Sequence, residues 1–497
     1  MVRKRILLIE PPFHRLYKST YSLDLYPLGL GYLAEAVNKD TDWDVMVYNA
    51  DFTPNSERRT LVYETGPGFY KYLDQLKDPF AEIWNEIRKV IKEYQPSIIG
   101  VSAKTQNFRS ACVVAKIAKE IDKNIIVIVG GPHPSMVGED VFICPDIDIC
   151  VVGEGEKTIV CLLGAIENKE KFENVRGIIY RTNGGIVKNG PQDFIQNVDD
   201  LCFPYENAPK LLKDHALYPM QAFNSIFASR GCPFNCFFCG SRNIWSRKVR
   251  FRSPDNVARE IGQRQKIGLK LVSFQDDYFG VTKSYIFDLC KAIMDQCPGV
   301  KWSCQIHVKS VNDENIAIMK RAGCVSIRLG IESGNNDILK KIRKNITIEE
   351  ALSVCKTIKK YGIELHTFYI IGFPQETEKT LMDTLDAMNR TKCDTLIYSI
   401  FTPYPGTEAF DLCKEQGTIQ DGYDVALYNH QSPLNYFCPA ISKDRFRALA
   451  GKIEHMIDRK KKLSRIRRIF SLNVIWRIRE KGIWKSICEG LRTIIGK

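Results

Sequence analysis

Apolar residues fall into two long stretches in which short continuous runs alternate with helical stripes. In the first stretch, apolar runs at 5–10, 43–48, 97–102, 125–129 and 149–152 predict strands. Apolar positions recur at helical spacing over 28–37, 80–94 and 109–121, and a Tyr- and Gly-rich insertion at 63–72 breaks the order once. Strands without a polar face, separated by helices, imply a parallel sheet covered on both sides. The second stretch predicts strands at 222–228, 271–275, 301–307, 326–330, 364–371 and 395–401. Helices are predicted at 253–267, 283–296, 313–321, 348–361 and 378–391. Six such units make a partial (β/α) barrel. Between the stretches, apolar runs at 177–181 and 186–188 flank Thr182-Asn183-Gly184-Gly185 and read as a β-hairpin. A looser connector follows at 199–204.

Ligands of parallel sheets and barrels bind at the carboxyl ends of the strands. In the first stretch those ends carry Pro11-Pro12, Ser102 with the loop to Thr105, Gly130-Gly131-Pro132 and Gly153-Glu154-Gly155. Glycines there fit tight turns as well as a close ligand approach. In the second stretch the first strand runs into Gly231-Cys232-Pro233-Phe234-Asn235-Cys236-Phe237-Phe238-Cys239-Gly240. Three cysteines at C-x3-C-x2-C spacing, with no secretory signal, point to a metal site rather than disulfides. A structural zinc or an ordinary electron-transfer cluster takes four protein ligands. Three thiolates on a 4Fe-4S cluster leave one iron open to a substrate or cofactor, and a zinc site is the competing reading.

Composition adds limits. A chain of 497 residues suits about three domains by the length prior, and 44% hydrophobic residues supply full cores. Outside the trio, cysteines such as Cys112, Cys150, Cys161 and Cys355 sit in apolar or helical contexts, as reduced thiols of an anoxic cytoplasm would. The first apolar run is too short for a signal-peptide core. No run of 18 uncharged apolar residues exists, so no spanning helix is expected. The formal charge of +13 is concentrated: from Arg459 to Lys497 there are 13 Lys and Arg against two acids. There Ile466, Ile469, Phe470, Val474 and Ile478, then Trp484, Ile487 and Leu491, recur at helical spacing. A basic amphipathic helix with Trp476 and Trp484 suits an anionic membrane surface, which would make the protein peripheral to the inner face of the membrane. A terminal helix packed on the barrel is the alternative, and no nucleic-acid module accompanies the charge.

Over roughly residues 1–410 the chain resembles the cobalamin (B12)-binding radical S-adenosylmethionine (SAM) enzymes. Ser229-Arg230-Gly231-Cys232 through Cys239 looks like the cluster loop, with Phe238 as its aromatic residue. Phe274-Gln275-Asp276-Asp277 looks like the acidic segment that meets the SAM amino group; Asp276 is the first choice and Asp277 the second. Gly330-Ile331-Glu332-Ser333-Gly334 and Gly372-Phe373-Pro374 resemble further SAM-contacting turns, and Thr402-Pro403-Tyr404-Pro405-Gly406-Thr407 the barrel ending. Pro27-Leu28-Gly29-Leu30-Gly31-Tyr32, Gly130-Gly131-Pro132-His133-Pro134 and Gly153-Glu154-Gly155-Glu156 resemble the cobalamin-domain signatures. The fold implied is α/β: a Rossmann-like cobalamin-binding domain (1–170), a hairpin and linker (171–215), a partial (β/α)6 radical SAM barrel (216–420) and a basic helical region (421–497).

The resemblance implies a 4Fe-4S cluster on Cys232, Cys236 and Cys239. It implies SAM beside Phe238, Asp276, Asp277, Glu332, Gly372 and Pro374. Cobalamin is implied at Pro12, Gly29, Ser102, Gly130, Gly131, Gly153, Glu154 and Gly155. Capping the next helix is the alternative role of Asp276, and pairing with Arg328 or Lys340 that of Glu332. His307 stands where the family often carries an arginine. No Asp-x-His-x-x-Gly loop exists, so cobalamin is expected without a histidine below the cobalt; His14 and His133 are candidates for pocket lining. The implied activity is an oxygen-sensitive methyltransferase acting on an unactivated carbon of a small-molecule or lipid-like substrate. An external donor such as a flavodoxin or ferredoxin would supply electrons. Ring formation, rearrangement or C–H oxidation, and a cobalamin-binding regulatory or carrier protein with an inactive barrel, are the alternatives.

Overall fold

The computed structural model describes residues 4–469 apart from 281 and 421. Most of the basic tail lies outside the described residues.

Strands β1 (Arg5–Glu10), β2 (Asp44–Asn49), β3 (Ile98–Ser102), β4 (Ile126–Gly130) and β5 (Ile149–Val151) form a parallel sheet in the order 2-1-3-4-5. Alternation along each strand sends side chains to opposite faces. Ile6 and Leu8 join Val45, Val47 and Ile128 in one core, while Leu7 and Ile9 join Ile99, Val101 and Val127 in the other. Helices Leu28–Asp40 and Gly155–Glu167 belong to the first layer, and Glu82–Tyr94 and Phe108–Ile121 to the second. This is the doubly wound arrangement expected of uniformly apolar strands. The hairpin β6 (Ile178–Thr182) and β7 (Gly185–Lys188) does more than connect: it adds two antiparallel strands beside β5.

The second sheet has six parallel strands. They are β8 (Ser225–Ile226), β11 (Leu271–Phe274), β12 (Lys301–Ile306), β13 (Cys324–Glu332), β14 (Glu364–Ile371) and β15 (Thr395–Ile400), each paired with the next. The first is shorter than its apolar pattern suggests. Met220–Phe223 turns as a 3-10 helix, and Ser229–Arg230 (β9) leaves the sheet to pair antiparallel with Arg250–Phe251 (β10). Capping boxes at Thr347 and Thr377 start two of the barrel helices. Trp302, Phe274 and Phe279 fill the layer between strands and helices.

Helix Lys443–Ile469 closes the barrel from outside, with Phe446, Leu449, Ile453 and Ile457 in its core. Lys460 donates to the carbonyl of Asn389 at 2.9 Å, so the tail begins packed on the barrel. Among the described residues no helix is long and apolar enough to cross a membrane.

The two sheets meet at their carboxyl ends. Met136, in the helix Pro132–Val137 that follows β4, lies against Gly240 and Gly406 so closely that a Cβ on Gly240 would come within 2.1 Å of its sulfur.

Candidate active site

The cysteine loop is set by backbone constraints at both ends. Gly231 has φ +106°, and a Cβ there would lie 2.0 Å from the Lys248 carbonyl, so only glycine fits. Before it, Asp276 is buried and accepts from the Ser229 amide (2.5 Å), the Ser229 hydroxyl (2.6 Å) and the Ala228 amide (3.1 Å). Burial still raises the Asp276 carboxyl to about 6. Its hydrogen-bonding capacity is spent on the approach to the loop, not on capping the following helix. Asp277 is exposed beside the loop, held by the Ser241 hydroxyl at 2.9 Å, and its charge is felt by Cys232 and Cys239. Of the two acids, Asp277 is the one that reaches the surface, although desolvation still raises its carboxyl and Ser241 and Trp245 hydrogen-bond to it.

The thiols of Cys232, Cys236 and Cys239 lie within electrostatic reach of one another. Burial pushes Cys232 up to about 11 and raises Cys236, so both stay protonated until a metal displaces the protons. Among the described residues no three His, Cys, Asp or Glu converge on a single metal ion. Three thiols on one loop, each influencing the others' charge, are the donor set that a three-cysteine cluster takes.

Glu332 ends β13 in a left-handed conformation, φ +72°, after an irregularity in its pairing with β14. Such a backbone costs about 1–3 kcal/mol and persists only when surroundings enforce it. Here the enforcing contact is Lys344, whose ammonium donates to the Glu332 carboxylate at 2.8 Å, both groups being buried. The pair lies over Gly330, where a Cβ would come within 2.3 Å of the carboxylate. The partner is neither Arg328 nor Lys340, and Lys344 escaped notice because nothing in Lys341-Ile342-Arg343-Lys344 sets it apart. Gly372 (φ +88°) and Pro374 are buried; a Cβ on Gly372 would meet the Phe446 ring at 2.9 Å. Behind them Glu376, wholly buried, accepts from the amides of Gly372 and Phe373. Phe238 packs on Phe373 at 5.6 Å between ring centroids.

On the opposite side, Pro12, Ser102, Gly130, Gly131 and Gly153 cluster at the ends of β1, β3, β4 and β5. Gly131 (φ +104°) presses on Ala103. Gly153 (φ +83°) and Gly29 face open space, room that a bulky ring system needs. Gly155 is different: a Cβ would strike Leu33 at 2.9 Å, so it serves helix packing. Glu154 differs too. Its carboxylate is buried and taken by Arg230 (2.8 Å), Arg250 (2.7 Å) and the Ile195 amide (2.8 Å). Arg230 also pairs with Glu156 at 2.6 Å and lies 4.9 Å above the Tyr32 ring. Glu154 thus ties the end of β5 to the residue two before Cys232. His133 is pushed down to about 4 by burial and rests against Phe108, with Thr105 at 3.2 Å from its Nδ1. His14 is occupied by Arg59 and Glu64. Neither ring is presented as a free ligand.

Residues 226–388 match the radical SAM superfamily, and residues 15–163 match the B12 binding domain. The chain is 32% identical over 410 residues to the uncharacterized methyltransferase PH0819 of Pyrococcus horikoshii, covering 82% of each. It is 25% identical to an anaerobic magnesium-protoporphyrin IX monomethyl ester cyclase of Rubrivivax gelatinosus, over 73% of this chain and 66% of that one. Its fold is similar to the radical SAM methyltransferase TsrM from Kitasatospora setae, solved with cobalamin and a 4Fe-4S cluster bound. The TM-score is 0.69 at 15% identity, covering 92% of this chain and 89% of that one.

Proposed function

Because the chain belongs to the cobalamin-dependent radical SAM methyltransferases, we propose that it places a methyl group on an unactivated carbon of a small-molecule or lipid-like substrate. Its cofactors are a 4Fe-4S cluster, SAM and cobalamin. When bound, the cluster and SAM supply a carbon-centred radical, and cobalamin supplies a methyl carrier.

The protein's part is to hold these groups, orient them and exclude competing reactions. Cys232, Cys236 and Cys239 would ligate the cluster. Asp277 would receive the SAM ammonium, and Glu332, held by Lys344, would lie beside the same molecule. Asp276, Gly372, Pro374 and Glu376 would act one layer behind, fixing the turns. Pro12, Gly29, Ser102, Gly130, Gly131 and Gly153 would border cobalamin. The observation that carries the reading is the face-to-face meeting of the two strand-end rims, touching at Met136 and tied by Glu154 to Arg230. A group on one rim is held in fixed register with a group on the other.

Anaerobic reconstitution with iron, sulfide and cobalamin, followed by reduction in the presence of SAM and cell extract, tests this. Methylation releases both S-adenosylhomocysteine and 5′-deoxyadenosine. Ring formation or C–H oxidation, a second reading favoured by the likeness to the cyclase, need release only 5′-deoxyadenosine. Failure to cleave SAM would leave a cobalamin-binding regulator. A flavodoxin or ferredoxin is the proposed electron donor. The basic tail is proposed to rest on an anionic membrane; equal sedimentation with liposomes of the full chain and of a chain ending at Asp458 contradicts that.

A further inference from the structure

Among the described residues, the inner face of the half-barrel carries a cation without a counterion. Strand alternation puts Ser273, Ser303, Gln305, Arg328, His366, Phe368, Ile370, Ile397 and Ser399 on that face, as the register between neighbouring strands confirms. The outer faces of the same strands are buried under helices, whereas Gln305, Ile397 (39% exposed) and Ser399 are open. Arg328 lies in the middle, level with Gln305 on one side and His366 on the other. One of its terminal nitrogens donates to the Phe274 carbonyl at 3.0 Å and approaches the Ser273 hydroxyl at 3.5 Å. Its Nε is buried with no partner. Among the described residues no carboxylate lies within ion-pair distance of it. Desolvation lowers its pKa, yet a guanidinium does not lose its proton in a protein. The acids nearby are committed: Glu332 to Lys344, Asp276 to the turn at Ala228 and Ser229, and Glu364 faces His366 at 3.8 Å. One step toward the strand ends and across to β15 the same face turns apolar, with Phe368 beside Ile397 and Ile370 beyond.

A half-buried charge without a partner is costly, and it is retained where a ligand completes it. We propose that this face binds an amphipathic acid: Arg328 takes a carboxylate or phosphate head, and Phe368, Ile370 and Ile397 take the apolar body. A planar fork of donors suits either head group. The proposal names the substrate class of the enzyme and rests on the methyltransferase reading given above.

The test is calorimetric titration of the reconstituted holoenzyme with octyl phosphate, octanoate and octanol. The acids are expected to bind at least tenfold more tightly than octanol. Arg328→Gln should lose that tenfold advantage, Arg328→Lys should keep part of it, and SAM affinity should stay within twofold of wild type. The stronger of the two acids identifies the head group. Ile397 is open and tolerates substitution, so Ile397→Asp provides a second variant, expected to weaken octyl phosphate tenfold. The proposal is overturned if octanol binds as well as the acids, if neither substitution changes acid binding, or if Arg328→Gln loses SAM, which would assign the guanidinium to the cofactor. Release of 5′-deoxyadenosine by the wild type is measured separately. Its absence would remove the enzyme reading without touching the binding result.

Discussion

Asp276 and Asp277 are adjacent, carry the same side chain and do different work. Asp276 satisfies two amides and a hydroxyl at the start of the cysteine loop, and Asp277 stands open beside the thiols. Leaving buried donors unsatisfied costs about 1–3 kcal/mol each. Asp276→Ala is therefore expected to destabilise the fold by roughly 3 kcal/mol and to lower iron content, read by urea unfolding and iron assay. Asp277→Ala should keep both and weaken SAM about tenfold, a loss of ~1.4 kcal/mol. Sequence placed an acid at this strand end but could not rank the pair, because the ranking depends on which carboxylate the turn at Ala228 and Ser229 captures. Glu376 gives a pH signature. Burial raises its carboxyl to about 7 from an ordinary value of 4.5. The folded state then holds a proton that the unfolded chain has released. The stabilisation is complete below pH 4.5 and lost as pH rises through 7, about 3 kcal/mol in all. Urea midpoints should fall more steeply between pH 5 and 8 for the wild type than for Glu376→Gln, in which buried Asp276 still contributes around pH 6; parallel pH profiles would refute that.

At the scale of elements, the strands of the first sheet were legible because their apolar runs lack a polar face. The boundaries that moved did so for local reasons, as where β9 leaves the barrel to pair with β10. The motif Gly153-Glu154-Gly155-Glu156 was legible as a strand-end loop, but its acids were not. Their partner Arg230 is 76 residues away from Glu154, and no local pattern encodes that pairing. Removing one member of a buried ion network costs about 3–5 kcal/mol because the others stay buried and unpaired. Glu154→Ala is expected to destabilise by that amount and to reduce cobalamin and iron together, since it joins the loops that border both. Loss of cobalamin alone would mean that it contacts only the cofactor. At the Met136 contact, Gly240→Ala should lower iron incorporation, and Met136→Ala should restore it by removing the sulfur that the new methyl group meets. Absence of rescue would place the constraint in the loop backbone instead.

For the whole molecule, the two-sheet plan was readable from periodicity, and the chemistry from three cysteines and a set of strand-end glycines. The way the sheets face each other was not readable, because contacts such as Met136 with Gly406 join distant parts of the chain through shape alone. The unpaired Arg328 was invisible for the same reason, since an arginine in an apolar strand gives no sign of whether an acid meets it. The facing rims carry the proposed function: residues at one rim would hold the cluster and SAM, residues at the other would hold cobalamin, and a substrate placed between them would meet both. The decisive measurement is product analysis of the reconstituted, reduced enzyme fed SAM with a deuterated methyl group and a cell extract fractionated for acidic lipids. Cobalamin-dependent formation of S-adenosylhomocysteine and 5′-deoxyadenosine in equal amounts, with the deuterated methyl group in a product, is expected. Formation of 5′-deoxyadenosine alone, with a transformed product free of deuterium, would contradict methyl transfer.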